Sequence, residues 1–299
     1  MFFKQKTINI ATIFSIISIG WCCIDSVEVE LWGECYNIDE TNFINRFDDN
    51  ISGDLPDNIG LLTNLISIIL PFNELSGEIP TSIQNLSELA ILDLRSNQMS
   101  GSIEIISSLN NLVGVFLSDN FFEGEIPGNI GNLNNLVELE IHNNNLSGTI
   151  PESMGELYEL NELLLYNNSL NGQIPSSIGN LFNLEVISLF NNELSGVIPT
   201  TICDIINNNY IIIDNNQLCP PYPQCIENIG FQDTSNCEEE CSYSIEGDLN
   251  NDGIVNILDI ISLVSCILSN NRCDICFDIN HDSEMNVQDI ILLVNLILI

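Results

Sequence analysis

Basic residues are nearly missing from this chain. Its 299 residues hold five Lys and Arg against 42 Asp and Glu, with only two His. Nucleic acid is excluded as a partner, because a phosphate backbone is held by clusters of Lys and Arg. Catalytic signatures are also missing. No nucleophile motif, glycine-rich phosphate loop or zinc spacing occurs, and His142 and His281 stand far apart in the chain. The apolar run Ile8 to Trp21 is too short to span a bilayer, and Asp25 soon follows it. After Met1 to Lys6, with its two lysines, this run reads as a secretory signal over residues 1–23. A lipid-bearing cysteine at Cys22 or Cys23 is the less favoured alternative. The excess of acid reads first as a soluble, non-sticky surface and second as an attraction for cations.

One pattern dominates what is present. Leu89-Ala90-Ile91-Leu92-Asp93-Leu94-Arg95-Ser96-Asn97 returns as Leu136-Val137-Glu138-Leu139-Glu140-Ile141-His142-Asn143-Asn144, followed by Leu146-Ser147-Gly148-Thr149-Ile150-Pro151. The Asn of L-x-x-L-x-L-x-x-N falls at 73, 97, 120, 144, 168, 192 and 216, with spacings of 24 or 23. Asp49 takes its place in one earlier unit, so about eight units are expected. Within each unit the L-x-L alternation predicts a short strand with Leu or Ile turned inward. The Asn predicts a ladder of side-chain amides along the core, and Ser-Gly and Ile-Pro predict an extended, turning convex side. Over about 190 residues the pattern resembles plant-type leucine-rich repeats. The resemblance implies a β-solenoid with short parallel strands on its concave face and an extended or 3-10 convex side. At Ile103-Glu104-Ile105 the Pro is lost and the unit is one residue short, which predicts a local kink.

Residues 24–43 are expected to cap the first repeat, with Trp32 and Cys35 over its apolar end. The repeats then span 44–218. Leu218-Cys219-Pro220-Pro221-Tyr222-Pro223-Gln224-Cys225 ends them and opens a Cys/Pro-rich cap and acidic linker over 219–246. Eleven cysteines point to an oxidising compartment. Cys35 pairs with Cys23 if the latter survives cleavage. Cys203, Cys219, Cys225 and Cys237 permit three pairings; Cys219 with Cys225 is sterically easy, but the sequence does not choose.

Residues 247–299 change character. Asp248, Asn250, Asp252, Asn256 and Asp259 occupy positions 1, 3, 5, 9 and 12 of a loop, with the Ile254 carbonyl at position 7. Thirty residues on, Asp278, Asn280, Asp282, Asn286 and Asp289 repeat the set, with Glu284 at position 7. Oxygen donors at this spacing wrap a hard Ca²⁺, so two ions are expected. An apolar helix follows each loop, from Ile257 to Leu268 and from Val287 to Leu298. This duplication resembles a type I dockerin, which implies a small all-α calcium-folded module that docks onto cohesin domains in polysaccharide-degrading assemblies. Positions 10 and 11 here are Ile257-Leu258 and Val287-Gln288, whereas familiar dockerins often carry hydroxyl residues that meet cohesin. A cohesin partner is therefore not carried over, and Cys273 and Cys276 offer Cys266 a local disulfide.

The concave face is the place to seek a partner. Its outward columns contain Asp93, Arg95, Phe116, Glu138, Glu140, His142, Glu162, Tyr166 and Phe190. His142, Tyr166 and Phe190 are expected to stack rung by rung, roughly 5 Å apart. Aromatic anchors are enriched at binding hot spots, although outward aromatics also follow strand propensity alone. The sequence therefore reads as a secreted or cell-surface, non-enzymatic binding protein. Its repeats take a protein or peptide, and its calcium module attaches it to a cohesin-like or surface scaffold. The alternative is a carbohydrate-targeting accessory of a polysaccharide-degrading complex.

Overall fold

The computed structural model describes residues 23–205, 210–226, 228–237, 247–250, 252–269, 279 and 286–298. The expected signal segment before Cys23, the linker from residue 238 to 246 and residues 270–278 lie outside the described residues. So do Asp278, Asn280, Asp282 and Glu284 of the second calcium loop.

Two parallel sheets of eight strands each run the length of the repeats in chain order. The first holds Phe43–Asn45, Ser67–Ile69, Ile91–Asp93, Gly114–Phe116, Glu138–Glu140, Glu162–Leu164, Val186–Ser188 and Tyr210–Ile212. These are the L-x-L segments, one per unit, so the expected eight units are present. Leu92, Leu94, Leu139, Ile141, Leu163, Leu165, Ile187 and Leu189 are all buried between the sheets. Truncating one such Leu to Ala in a packed core costs about 2–5 kcal/mol. The second sheet, from Ser52–Asp54 to Gln217–Cys219, is formed by the x-L-S-G-x segments. Sequence reading made this side merely extended. Stacking at a constant period brings each extended segment beside the next, where their backbone groups pair.

The Asn ladder is fully formed. Asn144 Oδ1 accepts from the Phe122 N–H at 3.0 Å, and its Nδ2 donates to the Leu117, Ile141 and His142 carbonyls at 3.0, 3.1 and 3.2 Å. One neutral amide thus satisfies donors and acceptors on two turns. The residue before it takes a left-handed conformation, as at Asp119, Asn143, Asn167 and Asn191. Asp and Asn tolerate positive φ, which accounts for the Asn-Asn pairs in the repeats. Each Ile-Pro leads into a short 3-10 helix such as Glu152–Glu156 or Ser176–Asn180. Gly155 lies so close to the Ser177 carbonyl of the next unit that a Cβ would overlap it. The short unit at Ile103 does not break either sheet, since pairing stays in register on both sides. The lost Pro is absorbed at Ile103, which turns to ψ 8° where the prolines of other units stand near 140°.

Both ends are covered. An antiparallel hairpin, Glu28–Leu31 with Glu34–Asn37, buries Val29 and Leu31 against the first repeat, with Trp32 packed beside them. Cys23 is bonded to Cys35, a bond that a cut after residue 23 would remove. At the other end Cys203 pairs with Cys225 and Cys219 with Cys237. The sterically easy Cys219–Cys225 bond is not made. The Tyr222 hydroxyl donates to the Leu218 carbonyl at 3.1 Å as the chain folds back, and Cys225 returns over Cys203, 22 residues earlier and nearly one repeat away. Gln232 then imitates the ladder. It accepts from the Leu218 N–H at 3.2 Å and donates to the Ile213 carbonyl at 2.9 Å, as an eighth Asn would.

The carboxy-terminal module, taken by itself, has two helices, α1 (Ile257–Ser269) and α2 (Val287–Ile297). Its buried core is Leu249, Leu263 and Leu293, with Val255, Ile260, Ile267, Ile279, Ile290 and Ile297 against them. Ile261, Leu268, Ile291 and Leu298 stay exposed.

Candidate binding face and calcium loops

Strand register decides which outward side chains meet. Asp93, Phe116, Glu140, Leu164, Ser188 and Ile212 are successive Cα partners across one face. Arg95 lies over the Phe116 ring, its guanidinium carbon 4.7 Å from the centroid. From there it reaches Asp93 at 2.8 Å and Glu140, two strands away, at 3.3 Å. Gly114 makes this possible, because a Cβ there would strike the Phe116 ring. Asp93 is only 5% exposed, so it holds Arg95 in place and offers little surface to a partner.

Glu138 and Glu162 are direct neighbours on adjacent strands. Like charges placed opposite one another destabilise a sheet. Burial first, and then Glu138, pushes the Glu162 carboxyl above its ordinary range. Burial also raises Glu140, and Arg95 opposes that rise while Glu162 and Glu138 add to it.

The aromatic ladder forms as expected, and more tightly. His142 stacks on Tyr166 with centroids 4.2 Å apart, and Tyr166 on Phe190 at 4.5 Å, the planes 17° and 10° from parallel. His142 is 8% exposed, and its Nδ1 has no hydrogen-bond partner. Burial lowers its pKa, and the nearby Asp119 carboxylate opposes that fall.

Two features escaped sequence reading. Asn191 donates to Asn167 at 2.7 Å, Asn167 to Asn143 at 2.5 Å and Asn143 to the Asp119 carboxylate at 2.7 Å, a second amide chain beside the rings. The doubled Asn at 143–144, 167–168 and 191–192 was the available signal. At the amino-terminal end Phe47 packs on Phe72 with centroids 5.2 Å apart, and both rings are more than half exposed. Extending the outward columns to the unit of Asp49 finds Phe47 and Phe43.

In the first candidate calcium loop Asp248 accepts from the Asp252 and Gly253 N–H groups at 3.1 and 2.8 Å. Asp259 accepts from Leu249, Asn250 and Asn256 at 2.8, 3.1 and 2.7 Å, which closes the loop onto the start of α1. Gly253 provides the positive φ of the sharp central turn. Asn250, Asp252 and Asn256 line the same loop through bonds within it, Asn256 donating to the Ile254 carbonyl at 3.0 Å. The described part of the second loop repeats the closure. Asp289 accepts from Ile279 at 2.9 Å and from Asn286 at 2.8 Å.

Among the described residues no group of three or more His, Cys, Asp or Glu is gathered to hold a metal ion. The donor set nonetheless fits a hard cation. Asp248 and Asp259 are 1% and 0% exposed, and among the described residues neither is in an ion pair. Burying two carboxylates within one loop on N–H donors alone is unfavourable without a compensating positive charge. Cys266 is disulfide-bonded.

The Dockerin type I domain model matches residues 246–298, and the Leucine Rich Repeat model matches 135–157, 159–181 and 183–205. No curated protein matches the chain. Among solved structures it is similar to a plant peptide hormone receptor, RGFR1, in complex with RGF2. That match has 38% identity over 57% of this chain and 28% of that one, with a TM-score of 0.56. It is also similar to the Arabidopsis receptor kinase HAESA in complex with the peptide hormone IDA and the co-receptor SERK1. There the identity is 38% over 56% of this chain and 28% of that one, with a TM-score of 0.54. The chain thus spans well under a third of each of these receptor chains. It is a plant-type leucine-rich-repeat solenoid followed by a dockerin-like module.

Proposed function

We propose that this chain is an extracellular binding protein whose concave face takes an extended protein or peptide segment. On this reading the dockerin-like module, loaded with two Ca²⁺, attaches it to a cohesin-like or surface scaffold. The stacked ladder of His142, Tyr166 and Phe190 carries the reading. Within the stack each ring covers its neighbour's face, so a ligand meets mainly ring edges. Edges carry the positive end of the aromatic quadrupole and suit carbonyl oxygens and apolar side chains, both of which a peptide supplies. A sugar packs flat on a ring face, and both faces of Tyr166 are covered by its neighbours. The solved complexes of similar receptors, whose names include peptide hormones, favour the same reading.

Calcium would be held in the first loop by Asp248, Asn250, Asp252, the Ile254 carbonyl, Asn256 and Asp259. Asp278, Asn280, Asp282, Glu284, Asn286 and Asp289 would hold it in the second. The bound ions would neutralise the buried carboxylates and tie each loop to the helix that follows.

The match to the dockerin model supports a second reading, a carbohydrate-targeting accessory of a polysaccharide-degrading assembly. One experiment separates the two: the full chain, in calcium, is tested on a glycan array and against a displayed library of random dodecapeptides. Enriched peptides whose binding falls in Tyr166→Ala and Phe190→Ala support the first reading. Polysaccharide binding that those substitutions weaken overturns it in favour of the second.

A further inference from the structure

Building on the concave face as a peptide-binding surface, we propose that its ligand is cationic, with a lysine or arginine side chain seated between Glu138 and Glu162. The two carboxylates stand side by side on paired strands in the middle of the face. Among the described residues neither is in an ion pair. Arg95, the one guanidinium on this face among the described residues, is already shared between Asp93 and Glu140. It is therefore not free to receive an acidic ligand or to neutralise the Glu138–Glu162 pair. A cation brought by the ligand removes the repulsion and is drawn in by it.

Two unpartnered polar atoms belong to the same sheet or to a residue just after one of its strands, outside the Glu138–Glu162 register pair. Ser188, beyond Leu164 in the outward column of Glu140, is 3% exposed, and its Oγ has no hydrogen-bond partner. His142, two residues after Glu140, is 8% exposed with Nδ1 unpartnered. Buried polar groups without partners are rare in native structures, and a missing partner is one explanation for them. The seat has shaped walls. Phe116, folded over Gly114, stands on the side of Glu138, and Leu164 and Val186 stand on the side of Glu162. The methylene stem of a Lys or Arg can lie along such apolar surface while its head meets the carboxylates. The aromatic ladder begins in the same repeat, at His142 four residues after Glu138, so one extended segment reaches both.

The test must separate this seat from the general pull of a chain with 42 acids. A random dodecapeptide library displayed on phage is selected on the immobilised full chain in calcium and physiological salt. Selected peptides are then measured against Glu138→Gln/Glu162→Gln and, as a control, Glu152→Gln/Glu156→Gln, which removes two exposed carboxylates from the convex side. Selected sequences are expected to hold Lys or Arg at a constant spacing from an aromatic or aliphatic residue. Their affinity should fall about tenfold or more in the concave double variant and less than about twofold in the convex one. The single substitutions Glu138→Gln and Glu162→Gln should each give an intermediate loss.

Peptides without a basic residue, or equal losses in the two double variants, would overturn the cationic seat. If those peptides still lose affinity in Tyr166→Ala, the concave face survives as the binding surface and only its charge preference is wrong. Selection of nothing, or of peptides indifferent to Tyr166, counts against the peptide-binding reading and against the seat with it.

Discussion

The solenoid and the carboxy-terminal module both bury side chains that bond to backbone, but of opposite kinds. The solenoid buries asparagines. Each carries donors and an acceptor, is neutral, and is satisfied by protein alone, as Asn144 is by Phe122, Leu117, Ile141 and His142. The module buries aspartates, and Asp248, Asp259 and Asp289 are all at most 1% exposed. A carboxylate only accepts hydrogen bonds and brings a charge with it. The solenoid also spreads its apolar core over every unit, whereas the described residues of the module bury three apolar side chains, Leu249, Leu263 and Leu293. One region is complete in itself; the other asks for a cation.

The strongest way to break this contrast is to remove calcium. In calorimetry of the full chain, EDTA is expected to abolish the module's transition and leave the solenoid's in place. Metal binding free energy is folding free energy in so small a domain. A module transition that EDTA leaves unmoved would end the reading of these loops as calcium sites.

Next comes the solenoid's own ladder. Asn144→Ala should strip partners from the Phe122 N–H and three carbonyls and lower solenoid stability by about 2–4 kcal/mol, measured by denaturant unfolding. Calcium should not restore it. Gln232→Ala, at the ladder's end, should have a smaller effect because the cap lies beside solvent. If the two are equal, the ladder is not where stability is concentrated.

Binding should be separable from both. Tyr166→Ala or Phe190→Ala is expected to weaken a selected peptide by about 2 kcal/mol in titration calorimetry, with the module's calcium-dependent transition unchanged. Unchanged affinity in both variants would leave the ladder as strand preference only.

The smallest effect concerns charge within the solenoid. Glu140 and Glu162 have folded-state pKa values raised above their ordinary ones. A raised pKa means that their contribution to stability is fully present below the ordinary carboxylate value, near 4.5, and is lost as pH rises through the folded values. Glu162→Gln should therefore stabilise the solenoid at neutral pH by about 0.5 kcal/mol after screening, with the gain fading toward pH 4. His142 has the opposite sign. Its lowered pKa contributes stability above about 6.5 that is lost as pH falls through the folded value. A thermal-shift series of Glu162→Gln and His142→Gln against pH should resolve the two slopes.

What the sequence determined by itself was whatever repeats. A 24-residue period places every unit on its neighbour, so reading one unit predicts the burial of Leu139 or Leu163, the amide ladder and even the stacking of Tyr166 on Phe190. The dockerin-like duplication was legible for a similar reason, since each of its loops is written within twelve consecutive residues. Tertiary structure decided what depends on where separate turns end up. Cys225 finds Cys203 and not Cys219, because the folded-back cap lays it over the previous unit. Gln232 becomes a ladder member only where the chain returns to the solenoid's open end. Arg95 reaches past Phe116 to Glu140 because Gly114 leaves room for the ring to lie flat, and that contact commits its guanidinium. Pattern shows which positions stack; the distances between side chains on different turns decide which of them bond.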